Sequence, residues 1–295
     1  MQFIELKALA KINLGLDVLG KRENGYHDVR MVMQTIYLCD DVKLEKRKNG
    51  EISIESNLYF LPTNDNNIAY KAAQMLKEEF NIEDGVHITL KKRIPVAAGL
   101  AGGSSNAAAV LYGMNRLFNL KLTEEELKER GVKLGADVPY CIMRGTVLAE
   151  GIGEELTVLS PMPKCYVLIA KPGISVSTKV VYEKLDDCDI IDHPNIDGII
   201  EGLESGDLAT VTKHMGNVLE QVTISDYPVI ENIKNVMKEN GAVNAMMSGS
   251  GPTVFGIFQK NQDAKKAMSA LKRKKIAKQI YLTSVHNVRR KNNGS

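Results

Sequence analysis

The chain has 295 residues, of which 44% are hydrophobic and 25% are charged, and its formal net charge is +2. These values are typical of a folded globular protein large enough for two domains, and they exclude a disordered or collagen-like chain. A nearly neutral surface gives no general case for nucleic-acid binding. Because the first residues are charged and no long uncharged apolar stretch follows, we expect neither a secretory leader nor a membrane span.

The cysteines indicate a reducing compartment. Cys39, Cys141, Cys165 and Cys188 are far apart and have neither metal-ligand nor redox spacing. We therefore expect four reduced thiols, with Cys165 in the core of a strand, and a cytoplasmic location.

In the first half of the chain, strands alternate with amphipathic helices. Alternating apolar residues predict strands over residues 2–19, 41–46, 51–56 and 86–90. The first is expected to break around residues 11–15, and the second and third to form a hairpin at Asn49-Gly50. Helical periodicity predicts a helix over 66–80, and Thr123 with Glu126 has the spacing of a capping box. A further hairpin is predicted over residues 145–159.

The segment Ser160-Pro-Met-Pro163 predicts a domain boundary, because two prolines there interrupt both strand and helix. We expect an N-terminal domain over 1–159, a C-terminal domain over 160–288 and a flexible tail over 289–295. In the second domain, the predicted elements are a strand at 166–171, helices at 208–222 and 228–240, a strand at 254–258, a helix at 265–274 and a strand at 279–285. This order predicts an α+β domain.

The glycine-rich stretch Pro95–Ala109 is the most informative segment. It leaves a strand, carries no acidic side chain and opens a helix whose free amides can bind an anion. No lysine lies between Gly99 and Ser105, so the loop is not a Walker A motif, and its glycine spacing is not that of a dinucleotide fingerprint. We interpret it as a phosphate-binding loop; the alternative is a tight strand-to-helix turn.

Three separated segments together resemble the GHMP superfamily of small-molecule kinases. They are Lys11-Ile-Asn13, the glycine-rich loop and Met247-Ser-Gly-Ser-Gly-Pro252. The resemblance covers roughly residues 5–285. It implies an α+β fold of two domains, with a left-handed β-α-β unit in the first, a ferredoxin-like second domain and an active site in the cleft between them.

The N-terminal signature narrows the resemblance. Residues 10–20 and 21–28 look like those of the superfamily members that use ATP to phosphorylate the 2-hydroxyl of a cytidine diphosphate-linked methylerythritol, in the non-mevalonate route to isoprenoids. Lys11 matches the family's catalytic lysine, and Asp137, in Gly135-Ala-Asp-Val-Pro139, matches its catalytic aspartate. Asp137 would accept the hydroxyl proton, and Lys11 would keep it ionised. The alternative for Asp137 is an ordinary helix N-cap, and for Lys11 a solvated strand lysine.

The resemblance also implies ATP and Mg²⁺ as cofactors. The predicted ATP-binding residues are Pro95, Val96, Ala97, Ala98, Gly99, Leu100, Ala101, Gly102, Gly103, Ser104 and Ser105 of the loop, with Asn66 and Lys92 near the adenosine. The protein ligands of the metal are unknown, Ser105 being one candidate. Asn66 and Lys92 could instead be an exposed helix cap and a surface lysine.

For the cytidine end of the acceptor, the resemblance points to Asn13, Tyr26, His27 and Tyr182. Imidazole hydrogen bonding and aromatic stacking suit a cytosine ring. The alternatives are a loop histidine and a core tyrosine. The third loop, with Ser248, Gly249, Ser250 and Gly251, is predicted to present amides to the diphosphate or to the transferred phosphate, unless it is a plain turn.

Two residues depart from the family pattern, which usually has glycine at position 101 and aspartate at position 106. We expect Ala101 to require a negative φ and therefore to change the loop slightly. Asn106 lacks a carboxylate, which could alter metal handling.

Two other functions are weighed. A homoserine or mevalonate kinase would share the loops but not Gly25-Tyr-His27. A nucleic-acid-binding module would use the basic residues at 265–266, 272–275 and 289–291. The nearly neutral overall charge instead favours a solvated helix face and a charged tail. We expect small-molecule ligands, no nucleic acid or membrane partner, and a monomer or homodimer.

Overall fold

Two long strands, β1 (Phe3–Lys21) and β2 (His27–Arg47), begin the fold in the computed structural model, which describes residues 1–190 and 192–288. The strand predicted over 2–19 is confirmed, but the break expected at residues 11–15 is wrong. Ile12 and Leu14 are fully buried, so β1 continues through this segment as a core strand. The first part of β2, from His27 to Asp40, was not predicted.

The chain divides into two compact units. Unit 1 consists of Met1–Ala10 and Leu38–Met143, and unit 2 consists of Lys11–Tyr37 and the described residues from Arg144 onward. Each long strand therefore contributes one part to each unit. The domain boundary expected at residue 160 stays a prediction.

Unit 1 adds two strands and four helices, β3 (Ile52–Ser56), α1 (Ile68–Glu79), β4 (Gly85–Lys91), α2 (Gly102–Leu117), α3 (Glu124–Val132) and α4 (Asp137–Met143). Its strands lie in the order β3-β4-β2-β1. Strand β4 is antiparallel to β2, with Asp41 opposite Lys91, and parallel to β3, with Ile52 opposite Val86. The hairpin predicted between β2 and β3 is wrong, because β4 lies between them and β3–α1–β4 forms a parallel β-α-β unit.

Local signals place helices α1, α2 and α3 correctly, whereas the short helix α4 was not predicted. The Asn67 side chain caps α1 by accepting the Ala69 amide at 3.0 Å, and the capping box of α3 is formed. Helix α2 packs directly on the sheet, since a Cβ at Gly113 would lie 2.9 Å from Leu44. This close approach holds the middle of α2 against the sheet.

Unit 2 contains seven strands of its own and six helices among the residues described, β5 (Thr146–Glu150), β6 (Glu155–Val158), β7 (Tyr166–Lys171), α5 (Thr178–Asp186), α6 (Ile196–Glu204), α7 (Leu208–His214), β8 (Gly216–Asn217), α8 (Glu220–Asp226), α9 (Val229–Glu239), β9 (Asn244–Met247), β10 (Val254–Phe258), α10 (Asn261–Lys274) and β11 (Gln279–Ser284). The order β11-β7-β10-β9, antiparallel throughout, is that of a ferredoxin-like sheet. The predicted α+β fold is confirmed.

The single helix predicted over 208–222 is wrong. It is two helices, α7 and α8, separated by β8, whose Gly216 and Asn217 pair in parallel with Gly15 and Leu16 of β1. A Cβ at Gly216 would lie 2.9 Å from Pro194, so only a glycine allows this close approach. Helix α6 was also not predicted.

The remaining predicted elements are found in unit 2. Strands β5 and β6 form the hairpin expected within 145–159, and β5 also pairs with β2. After β11, Val285 bridges to Ile36 and the His286 amide donates to Thr35 at 2.8 Å.

All four cysteines are free and Cys165 is buried, as expected. Within the described ranges, no helix has the length and apolar character needed to cross a membrane.

Candidate active site

The glycine-rich loop of unit 1 ends at an uncapped helix. Helix α2 begins at Gly102 with no side-chain cap and no acidic residue in its first turn. Ser105 is buried, and its hydroxyl donates to the Leu9 carbonyl at 2.7 Å, which ties this turn to β1. The positive end of a four-turn helix therefore faces the loop with no acidic side chain in its own first turn. This arrangement fits the phosphates of a nucleotide.

Ala101 keeps the left-handed conformation that glycine would adopt. Its φ is 53° and its ψ is 30°, so the expected negative φ is wrong. Ala97 also has a positive φ, 48°. Such a conformation costs a residue with a Cβ roughly 1–2 kcal/mol, so the packing of α2 and the loop must hold it in place.

Three buried polar side chains lie directly beneath the loop. Lys92, after β4, forms an ion pair with Asp40 of β2, and the two side chains are 4% and 0% exposed. Asn106, in the second turn of α2, accepts from Lys92 Nζ at 2.7 Å and donates to Asp40 Oδ2 at 3.0 Å. The other Asp40 oxygen accepts the amides of Arg93 and Ile94 at 2.7 and 2.8 Å. We call Asp40, Lys92 and Asn106 the buried triad.

The buried triad explains why an asparagine stands at position 106 and why Lys92 is buried. Because Asn106 both donates and accepts here, its amide satisfies a carboxylate and an ammonium together. Lys92 is not the surface lysine of the alternative interpretation, although its contact with ATP stays a prediction. Asn66 is exposed one residue before the Asn67 cap, and its role also stays a prediction.

Lys11 and Asp137 belong to different units. Lys11, in the part of β1 that belongs to unit 2, is only 5% exposed and its Nζ donates to Asn13 Oδ1 at 2.8 Å. The alternative of a solvated lysine is therefore wrong. Asp137 is half-buried at the first residue of α4 in unit 1. That the two side chains act on one reacting alcohol stays a prediction.

The aromatic residues predicted to bind the base lie together in unit 2. Tyr26, His27 and Tyr182 line a cavity of about 720 Å³ that also contains Met31 and Asp186. The His27 and Tyr182 rings are 4.8 Å apart with an interplanar angle of 39°. Tyr26 is 60% exposed at the rim. The cavity has the aromatic walls that a nucleobase needs.

Asn13 contacts Met31, which lines this cavity. It is fully buried and its Nδ2 donates to Met31 Sδ at 3.3 Å, while Oδ1 accepts from Lys11. Asn13 therefore connects the predicted catalytic lysine to the wall of the cavity.

The third loop, Ser248–Gly251, is anchored by hydrogen bonds to side chains of unit 2. Asn217 donates to the carbonyls of Met247 and Gly249 at 2.9 and 2.8 Å, and the Glu220 carboxylate accepts the Met247 amide at 2.7 Å. Burial raises the pKa of Glu220, although Lys234 lies beside it and opposes the shift. At the other end, Ser250 Oγ lies 2.7 Å from Thr178 Oγ1, which lines the cavity.

Sequence reasoning missed several residues that organise these sites. Asp40, Asp186, Thr178 and Asn217 were not singled out, because each acts on a residue distant in sequence. One feature of the sequence could have indicated two of these residues. Thr178 and Asp186 are the first and last residues of α5, the helix that carries Tyr182.

No cluster of three or more His, Cys, Asp or Glu side chains suited to a metal occurs among residues 1–190 and 192–288. The donors that the start of α2 offers to a phosphate are its uncapped backbone amides and the Ser104 hydroxyl, since the Ser105 hydroxyl is buried and donates to Leu9. These groups fit a nucleotide whose metal is held mainly by phosphate oxygens.

Comparison with known families agrees with this geometry. Sequence profiles described as "GHMP kinases N terminal domain" and "GHMP kinases C terminal" match residues 67–145 and 199–277. The chain belongs to the GHMP kinase family and is a small-molecule kinase. Membership implies use of ATP, and a divalent metal is typical of such enzymes.

Relatives with high sequence identity indicate which kinase of the family this chain resembles. A 4-diphosphocytidyl-2-C-methyl-D-erythritol kinase of Lachnospira eligens is 58% identical over 96% of this chain and 98% of its own length. The same enzyme of Clostridium perfringens is 51% identical over 96% of this chain and 99% of its own length. A solved 4-(cytidine 5'-diphospho)-2C-methyl-D-erythritol kinase is 30% identical with a TM-score of 0.82, over 97% of this chain and 100% of its own. A homoserine kinase of Cytophaga hutchinsonii, with 21% identity and a TM-score of 0.76, shares the fold.

Proposed function

We propose that this chain transfers the terminal phosphoryl group of ATP to the 2-hydroxyl of 4-diphosphocytidyl-2-C-methyl-D-erythritol, giving the 2-phosphate and ADP. The product would belong to the non-mevalonate route to isopentenyl diphosphate. The observation that carries the proposal is the cavity in which Tyr26, His27 and Tyr182 meet. The relatives named for this reaction support the same substrate over homoserine or mevalonate.

In the proposed reaction, the 2-hydroxyl oxygen forms a bond to the γ-phosphorus, and the bond from that phosphorus to the β–γ bridging oxygen breaks. The hydroxyl proton passes to the Asp137 carboxylate. Lys11 steadies the negative charge, and the amides at the start of α2 bind the phosphates. Magnesium, when bound to the phosphates, supplies further positive charge. The third loop and Thr178 hold the acceptor.

The first test is a coupled assay of ADP release. The cytidine substrate is compared with homoserine and mevalonate at equal concentrations, with magnesium present. We expect turnover with the cytidine substrate at a kcat/KM at least about a hundredfold above that of either small alcohol. Preference for one of the small alcohols would contradict the proposal.

The second test addresses Asp137. We expect Asp137→Asn to lower kcat by at least about a hundredfold, the usual contribution of a positioned base, with little change in KM. Asp84→Asn, an exposed loop carboxylate of the same unit, is the matched control and should retain full activity. Near-normal turnover by Asp137→Asn would remove it from the mechanism.

No feature of the described residues favours a second function such as nucleic-acid binding. The basic residues at the end of α10, Lys272, Arg273 and Lys274, complement the helix dipole at its C-terminus. The basic residues at 289–291 lie outside the described part of the chain. A cytoplasmic location and a monomer or homodimer remain part of the proposal.

A further inference from the structure

The cavity of unit 2 contains a histidine held by a carboxylate. Asp186, the last residue of α5, places Oδ1 2.6 Å from His27 Nε2 and Oδ2 2.7 Å from Lys21 Nζ. The His27 side chain is 9% exposed, and the Tyr182 ring packs against it. Two partners on one carboxylate, together with the packed ring, leave His27 a single orientation.

This contact determines where the imidazole carries its proton. The hydrogen bond from His27 and then that from Lys21 lower the pKa of Asp186, so the carboxylate is ionised near neutral pH. An ionised carboxylate only accepts hydrogen bonds, so His27 Nε2 must be the protonated nitrogen. In the neutral imidazole, Nδ1 is then an acceptor, and none of the described residues hydrogen-bonds it.

An acceptor at that position distinguishes two pyrimidines. Cytosine presents an exocyclic amine, which donates, where uracil presents a carbonyl, which accepts. Nδ1 can accept a hydrogen bond from the amine of cytosine. It cannot pair with the carbonyl of uracil, because both atoms are acceptors and their lone pairs repel each other.

We propose that Asp186 is a positioning residue that selects cytidine over uridine by fixing the tautomer of His27. The inference rests on the proposed function, since it assigns the base to this cavity. Asp186 does not touch the reacting hydroxyl, so its effect should fall on binding of the acceptor and not on the chemical step.

Steady-state kinetics test the selectivity. The ratio of kcat/KM for the cytidine substrate to that for its uridine counterpart is measured for the wild type, Asp186→Asn, Asp186→Glu and the neighbouring control Asp187→Asn. We expect a wild-type ratio of at least about 30, since an unpaired or opposed hydrogen-bonding group costs about a factor of 10–100. Asp186→Asn should lower the ratio at least about fivefold, mainly through KM, because an amide can donate to Nε2 and permit the other tautomer.

A spectroscopic measurement separates this role from a merely structural one. The ¹⁵N shifts of His27, assigned by their loss in His27→Gln, report which nitrogen is protonated. We expect protonated Nε2 in the wild type, Asp186→Glu and Asp187→Asn, and increased Nδ1 protonation in Asp186→Asn. Asp186→Glu and Asp187→Asn should unfold at the wild-type temperature, and Asp186→Asn within about 4 °C of it, because the ion pairs that Asp186 forms lie near the surface.

The outcomes distinguish the two proposals. Absence of turnover with the cytidine substrate by the wild type would overturn the proposed function, and the selectivity role with it. Normal turnover combined with an unchanged ratio or an unchanged tautomer in Asp186→Asn would overturn the inference alone.

Discussion

Removing the charge of Asp40 should destabilise the protein by about 3 kcal/mol. Asp40→Asn keeps the shape of the side chain, and its amide oxygen can still accept the backbone amides of Arg93 and Ile94. The ammonium of Lys92 would remain buried without its counter-ion. Loss of one partner from a buried pair costs roughly 3–5 kcal/mol, and the retained backbone bonds place this variant at the lower end.

The geometry of the triad predicts that a second substitution restores most of this loss. In Asp40→Asn/Asn106→Asp, the carboxylate moves to position 106, beside Lys92, and the new amide at position 40 donates to it. Asn106→Asp alone should cost about 2–3 kcal/mol, because it sets two carboxylates together and removes a donor. We expect the double variant within about 1 kcal/mol of the wild type, which corresponds to a coupling of at least about 4 kcal/mol between the two positions.

Urea unfolding followed by circular dichroism measures these free energies. Asp41→Asn is the matched control, since Asp41 pairs with Lys7 and Arg93 at the surface and its loss should cost less than about 1 kcal/mol. If Asp40→Asn costs no more than this control, or if the double variant is less stable than both single variants, the assigned hydrogen-bond pattern is wrong.

Three further predictions concern the loops and the thiols. Ala101→Gly should stabilise the protein by about 0.5–1 kcal/mol in the same urea assay, because relief of the left-handed conformation exceeds the entropy gained by the unfolded chain; destabilisation would contradict this. Asn217→Ala should raise KM for the acceptor about tenfold in the ADP assay while kcat changes less, because the carbonyls of Met247, just before the third loop, and of Gly249, within it, lose their donor. With iodoacetamide at pH 8, mass spectrometry should show exposed Cys188 alkylated first and Cys165 protected, because burial raises the pKa of Cys165 to about 12. Since that pKa is raised in the folded state, the contribution of Cys165 to stability should be present below about pH 8.5 and lost as the pH rises toward 12.

The sequence predicts features whose causes lie within a few residues. The capping box at Thr123, the helix that Asn67 caps and the turn into α2 follow from local chemistry, and the structure has all three. The fold class follows from motif order combined with family resemblance. The residues around the base follow from the same resemblance, and their shared cavity is consistent with it.

Other features depend on partners distant in sequence. The insertion of β4 between β2 and β3 is a choice of strand pairing that alternation cannot specify, because each strand shows the same period. The break at Gly216 comes from pairing with Gly15 and from the contact with Pro194. Ala101 shows the same limit: intrinsic preference predicts a negative φ, and tertiary packing imposes the opposite sign.

The interrupted chain order of the two units has a consequence for synthesis on the ribosome. Every segment of unit 1 has been made once Met143 is added, whereas unit 2 begins at Lys11 and awaits Val285, the bridge partner of Ile36. At about 5–20 residues per second, the wait is on the order of 10 s. During that interval the nascent segment Lys11–Tyr37 lacks its later neighbours, so cellular chaperones would be expected to engage the growing chain there.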